Sequence, residues 1–94
     1  MRLEVTYADG RKTGVRVTPR AEVEWERHFN QSIAVVGTRN EYVYYLAWTA
    51  LSHAREETRS FDEFVDVLDS IDVEDEPATA DPTQPVQPPN ESSG

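Results

Sequence analysis

The feature that most limits what this chain can fold into is a break in its chemistry at residue 71. Residues 1–71 carry every aromatic, every Lys and every Arg of the 94-residue sequence, whereas residues 72–94 carry six acids and five prolines with no basic or aromatic residue. A segment built like the second part has too little apolar surface to offset the entropy of ordering its backbone. The sequence therefore predicts one small folded unit over residues 1–71, followed by a disordered acidic Pro-rich tail over residues 72–94. A folded part of that size buries a low fraction of its surface and is marginal in stability.

Charge follows the same division. The net charge is −9, of which 12 acids against 9 bases place −3 on residues 1–71 and the six acids of the tail supply −6. Such a chain repels a phosphate backbone, so nucleic acid is not an expected partner. The plain reading of the acidity is solubility. There are no cysteines, so neither a disulfide nor thiol chemistry is expected. Met1-Arg2-Leu3-Glu4-Val5 lacks the apolar core of a secretory signal, and no run approaches the roughly 18 apolar residues of a membrane span. The cytosol is the default location, with no membrane partner.

Leu3, Val5 and Tyr7 alternate with Arg2, Glu4 and Thr6, the period of a half-buried strand. Val15 and Val17 fall on the same face only if Tyr7 lies opposite Arg11, which demands a three-residue loop, Ala8-Asp9-Gly10. Such loops close with a left-handed residue, and Gly10 adopts that conformation without a Cβ clash. Thr18-Pro19 opens a helix, with Thr18 as N-cap and Pro19 at its first position. Ala21, Trp25 and Phe29 form its apolar stripe and Asn30 its stop. Ile33–Val36 reads either as a third strand beside the hairpin or as a buried loop, which periodicity does not separate in so short a run.

Asn40 reads as the N-cap of a central helix over 41–57 that is apolar nearly all round. Val43, Leu46, Ala47, Ala50, Leu51 and Ala54 make one face, bordered by Tyr44 and Trp48. Tyr42, Tyr45, Thr49, Ser52 and His53 make the other. Ser60 and Glu63 form a capping box ahead of a third helix, roughly 61–70, and Phe61, Phe64, Val65, Leu68 and Ile71 recur there at helical spacing. The expected fold class is α+β: an N-terminal β-hairpin, with or without a third short strand, packed on three helices.

No constellation for chemistry emerges, and the chain reads as a non-enzyme without metal or cofactor. His28 and His53 lie on different helices. Asp62, Asp66 and Asp69 at helical spacing read as a solvated face, because Ca²⁺ or Mg²⁺ would need further oxygen ligands on a shaped loop. Ser52 and His53 are neighbours in sequence and diverge on a helix, so they make no dyad. Tyr42 and Tyr45, with Thr49, have two readings: packing beneath the hairpin, or an amphipathic surface of the kind enriched at interfaces. The second makes these three the candidate partner-binding residues.

The order of several segments resembles the small tail assembly chaperones of siphovirus-type actinobacterial phages. The segments are Val5-Thr6-Tyr7-Ala8-Asp9-Gly10, Trp25-Glu26-Arg27-His28-Phe29, Glu41-Tyr42-Val43-Tyr44-Tyr45-Leu46-Ala47-Trp48 and Phe61-Asp62-Glu63-Phe64, with the acidic Pro-rich tail behind them. The resemblance spans residues 3 to 71. It implies a protein that binds the tape measure protein and keeps it soluble in the host bacterial cytoplasm during tail assembly, and that is absent from the mature virion. It further implies a short form that a ribosomal frameshift can extend, and it supplies no site residues. A domain so small and aromatic is also a candidate for homo-oligomerisation. The competing expectation is an acidic regulatory inhibitor or adaptor that binds a basic partner. That reading calls for ordered ranks of acids on the folded body, which carries only −3.

Overall fold

The computed structural model describes residues 1–74. In chain order the elements are β1 (Arg2–Tyr7), β2 (Lys12–Arg16), α1 (Pro19–Phe29), a 3₁₀ helix (Ile33–Thr38), α2 (Asn40–His53), α3 (Phe61–Asp66) and β3 (Leu68–Glu74). The strands make one antiparallel sheet in the order β2-β1-β3, and helices pack on it, so the class is α+β.

The hairpin forms in the register that the valines require. Leu3 faces Val15 and Thr6 faces Lys12. Across the three-residue loop the Tyr7 N–H donates to the Arg11 carbonyl at 2.8 Å, and Gly10 sits at φ +93°. Asp9 steadies the turn by accepting from the Arg11 N–H at 3.0 Å. In α1 the Thr18 side chain accepts from the Ala21 N–H and Pro19 occupies the first position, while Asn30 ends the helix at φ 55°. Left-handed Asn is one of the usual helix stops.

Ile33–Val36 is neither strand nor loop but part of the 3₁₀ helix. Its β-branched residues favour extended backbone, yet side chains at both ends satisfy the helical donors and acceptors. Glu26 accepts from the Ile33 N–H at 2.7 Å, Ser32 accepts from the Ala34 N–H at 3.1 Å, and the Thr38 hydroxyl donates to the Val35 carbonyl at 2.7 Å.

Asn40 is the first residue of α2, not its N-cap. The capping position falls to Arg39, which is extended and makes no side-chain capping bond. Its guanidinium lies over the Tyr42 ring, 5.3 Å from the centroid. α2 also stops four residues before the expected end. Arg55 turns left-handed at φ 62°, and the Glu56 and Arg55 N–H groups close back on the Leu51 and Ser52 carbonyls at 2.9 and 3.0 Å. This is a Schellman-type termination, built here without glycine.

The largest departure lies at residues 67–74. The expected helix over 61–70 ends at Asp66, and Leu68–Glu74 returns as an edge strand against β1. The pairing explains why these residues imitate a helix. Leu3 faces Val73, Val5 faces Ile71, Thr6 faces Ser70 and Tyr7 faces Leu68, so Asp69 is an extra residue at a bulge. A bulge adds one residue on one strand and restores the facing of the next. Leu68 and Ile71 thereby share the inner face, with Val73 in the same register but exposed near the end of the strand, and the three-residue step from Leu68 to Ile71 has the spacing of a helix stripe.

The expected boundary at 71/72 therefore falls inside β3, and residues 72–74 are strand. The remainder of the expected disordered tail lies outside the described residues.

One face of the sheet is covered. Leu3, Val5, Tyr7 and Val15 meet Ala21 and Trp25 of α1, Leu46, Ala50 and Leu51 of α2, and Phe64 of α3 in a single core. The outward face sets Arg16, Arg2 and Glu74 in one row and Gly14, Glu4 and Asp72 in the next. The Arg2 side chain crosses Gly14 closely, where an added Cβ would come within 2.6 Å of its Nη2.

Candidate functional site

The structure separates the three residues expected to bind a partner. Tyr42 is only 8% exposed and Thr49 only 4%, so both belong to the interior, while Tyr45 is half-buried. The cause is α1, which packs along the side of α2 that the helix pattern leaves open. Trp25 donates its indole N–H to the Tyr42 carbonyl at 2.8 Å and stands edge-on to the Tyr42 ring at 5.2 Å. Phe29 meets Tyr42 at 4.8 Å. Thr49 turns its hydroxyl to the Tyr45 carbonyl one turn back, at 2.8 Å, which satisfies it inside the protein. At the far end of the contact His53 Nε2 lies 3.1 Å from Glu24 Oε1.

The outward stripe of α2 runs instead through Glu41, Tyr44, Tyr45, Trp48 and Ser52, all partly or fully exposed. These positions follow the i, i+3, i+4, i+7 spacing of one helix face. Glu41 marks it, because it is the only acid in α2 and the core would not accept it.

An aromatic row extends this stripe across three helices. The His28 imidazole of α1 stacks flat on Tyr45, with centroids 4.0 Å apart and planes at 9°. Tyr45 then touches Trp48 at 5.4 Å and Phe61 of α3 at 5.1 Å, and Trp48 meets Phe61 at 6.0 Å. Trp48 anchors the row by donating its indole N–H to the Arg59 carbonyl at 2.9 Å. Partial burial among these rings pushes the Tyr45 phenol above its usual range, and the Glu24 carboxylate adds to the shift.

Beside the row, residues of α2 and α3 line a groove of about 320 Å³. Tyr44, Phe61 and Val65 form its apolar walls, and Glu41, Asp62 and Asp66 stand at its rim. α3 is held in place for this by its N-terminus. Ser60 accepts from the Glu63 N–H at 3.3 Å and the Glu63 carboxylate accepts from the Ser60 N–H at 3.1 Å, the capping box that the sequence predicts.

A polar cluster joins Tyr7 to the loop ahead of α3, and the sequence pattern gives no hint of it. Glu57 is 6% exposed, and its carboxylate accepts from the Arg59 N–H at 2.9 Å, from the Arg59 guanidinium at 3.1 Å and from the Tyr7 hydroxyl at 3.3 Å. A buried charge with three donors is a satisfied one. Burial, followed by the adjacent Glu57 charge and the bond to it, pushes the Tyr7 phenol up. Tyr7 also carries Arg11 over its ring at 5.0 Å and meets Phe64 edge-on at 6.2 Å. The cluster thus ties β1 to the loop ahead of α3.

Among the described residues no three His, Asp or Glu side chains are placed to hold a metal ion, and no helix is long and apolar enough to cross a membrane. Comparison with protein-family models, with curated proteins and with solved structures finds no match.

Proposed function

We propose that this protein is a binding module, a siphovirus-type tail assembly chaperone that holds a tape measure protein in soluble form in the bacterial cytoplasm and is left behind when the tail is complete. One observation carries the reading. The partly exposed rings of Tyr45, Trp48 and Phe61 touch one another, and Tyr44 stands beside Phe61 in the adjoining groove, so a small acidic body presents an aromatic strip. Aromatic side chains offer large contact area at low entropic cost, which is why they dominate protein interfaces. A tape measure is a long helical polymer with apolar faces, and its chaperone needs an apolar contact on a soluble body. The sequence resemblance to these chaperones supports the same reading.

The outward face of the sheet bears on the competing reading. It mixes Arg2, Lys12 and Arg16 with Glu4, Asp72 and Glu74. Mixed signs give this face no rank of acids with which to imitate a polyanion, which counts against an inhibitor that works through the sheet.

The test is genomic, then physical. The neighbouring reading frames should include an overlapping downstream frame and a very long helical protein. Co-expression with that protein, followed by native mass spectrometry, should give a soluble complex. A tape measure protein that stays insoluble and uncomplexed in the presence of this chain would overturn the proposal.

A further inference from the structure

We infer that the groove between α2 and α3 selects a basic amphipathic helix, taking one of its bulky apolar side chains between Tyr44, Phe61 and Val65 and its flanking Lys or Arg residues against Glu41, Asp62 and Asp66. The inference rests on the proposed role as a polypeptide binder and names the kind of segment bound.

Three observations converge on that occupant. The first is shape. A groove of about 320 Å³ has room for one or two large side chains and not for a folded domain edge. Helix-in-groove recognition uses such anchors at i, i+3 or i+4, and i+7. The second is the sign of the rim. All three rim residues are acids, drawn from two different helices. Asp62 and Asp66 make no ion pair among the described residues, and Glu41 has only an exposed contact to Arg39 at 3.5 Å. Exposed contacts of that kind contribute little and are readily exchanged. An acidic segment would set like charges together, and a neutral one would leave the field unused. Charge complementarity of this sort sets specificity and encounter rate more than it sets total affinity.

The third observation is continuity. Phe61 belongs both to the groove wall and to the aromatic row through Tyr45 and Trp48. A helix anchored in the groove can continue over the row, which is longer than a single anchor needs.

The test uses the full 94-residue chain and two fluorescent helical peptides. Both carry leucines at i, i+4 and i+7, one with flanking lysines and the other with glutamates in their place. Anisotropy should show binding of the lysine peptide and not of its twin. Charge removal in the triple variant E41Q/D62N/D66N, made at three exposed positions, should weaken binding about tenfold and flatten its salt dependence. Val65→Glu should abolish it, and Tyr44→Glu on the opposite wall should do the same if Val65→Glu disturbs folding by circular dichroism.

Equal binding of the two peptides, or wild-type binding by the triple variant, would overturn the charge selection. Loss of neither wall contact would overturn the groove as the site. The tape measure protein run in parallel separates this inference from the one it rests on. If that protein binds while the lysine peptide does not, the groove assignment fails and the chaperone reading stands. If the lysine peptide binds while that protein does not, the chaperone reading fails and the groove's selectivity stands.

Discussion

Replacing Tyr42 by Ala is the sharpest test of how α2 is oriented. Tyr42 is 8% exposed and packs against Trp25 at 5.2 Å and Phe29 at 4.8 Å, with the Arg39 guanidinium across its ring. Removing a buried aromatic ring costs about 3–5 kcal/mol, through lost transfer energy and the cavity left behind. The cavity here would lie between two helices joined to each other largely by aromatic packing, which places the expected loss at roughly 3 kcal/mol or more. A domain of this length has a total stability of roughly 4–11 kcal/mol. The variant should therefore lose a large part of its stability, with Tm lower by about 12 °C or more. Tyr44→Ala, two residues away on the outward stripe, should cost clearly less, because its ring is only partly buried and packs against neither Trp25 nor Phe29. Urea unfolding followed by far-ultraviolet circular dichroism measures both. Equal losses for the two variants, or a Tyr42→Ala change below about 1 kcal/mol, would refute the placement of α1 against that side of α2.

Other expectations follow from single contacts. Tyr7 and Tyr45 are both shifted upward, so absorbance at 295 nm should show both phenols ionising late. A raised folded-state pKa means the folded protein holds protons that the unfolded chain releases. That stability is complete below the ordinary tyrosine pKa near 10 and is lost as pH rises through the folded values, so unfolding should become easier above about pH 10. Glu57→Gln should bring Tyr7 part of the way back while leaving Tyr45 unmoved, and an unchanged titration would contradict the Tyr7–Glu57 contact. Gly10→Ala places a Cβ at φ +93° and should cost roughly 1 kcal/mol in chemical denaturation, although nothing surrounds the site. Ser60→Ala removes half of the capping box ahead of α3 and should cost about 1 kcal/mol, with faster amide exchange confined to residues 61–66.

The parts of the fold that local rules decide are legible in the sequence. Tyr7, Val15 and Gly10 fix the hairpin register and loop, and Thr18-Pro19 and Ser60-Glu63 mark helix starts through side chains a few residues away. The failures share a cause, since each depends on a partner distant in sequence. Leu68 and Ile71 have the spacing of a helix stripe, and only pairing with β1 turns that spacing into a bulged strand. Tyr42 and Thr49 look available on α2 considered alone, and only the docking of Trp25 and Phe29 removes them from the surface. Ile33–Val36 takes its shape from hydrogen bonds to Glu26, Ser32 and Thr38, which outweigh the extended preference of valine. The site was half legible. Tyr45 keeps the partial exposure that one of its two readings required, and its neighbours Tyr44 and Trp48 already bordered the apolar face. The overlooked signal was Glu41, since a lone acid on an otherwise apolar helix points to the side that meets water.

The central claim is that a strip of aromatic and acidic residues along α2 and α3 holds another polypeptide. Amide hydrogen exchange of the full chain, alone and in complex with the co-expressed tape measure protein, examines it directly. Slower exchange should appear over residues 41–48 and 59–66 and leave the β2 edge at its free rate. Protection centred on β2 or the outward face of the sheet, with residues 41–48 and 59–66 unchanged, would contradict the account.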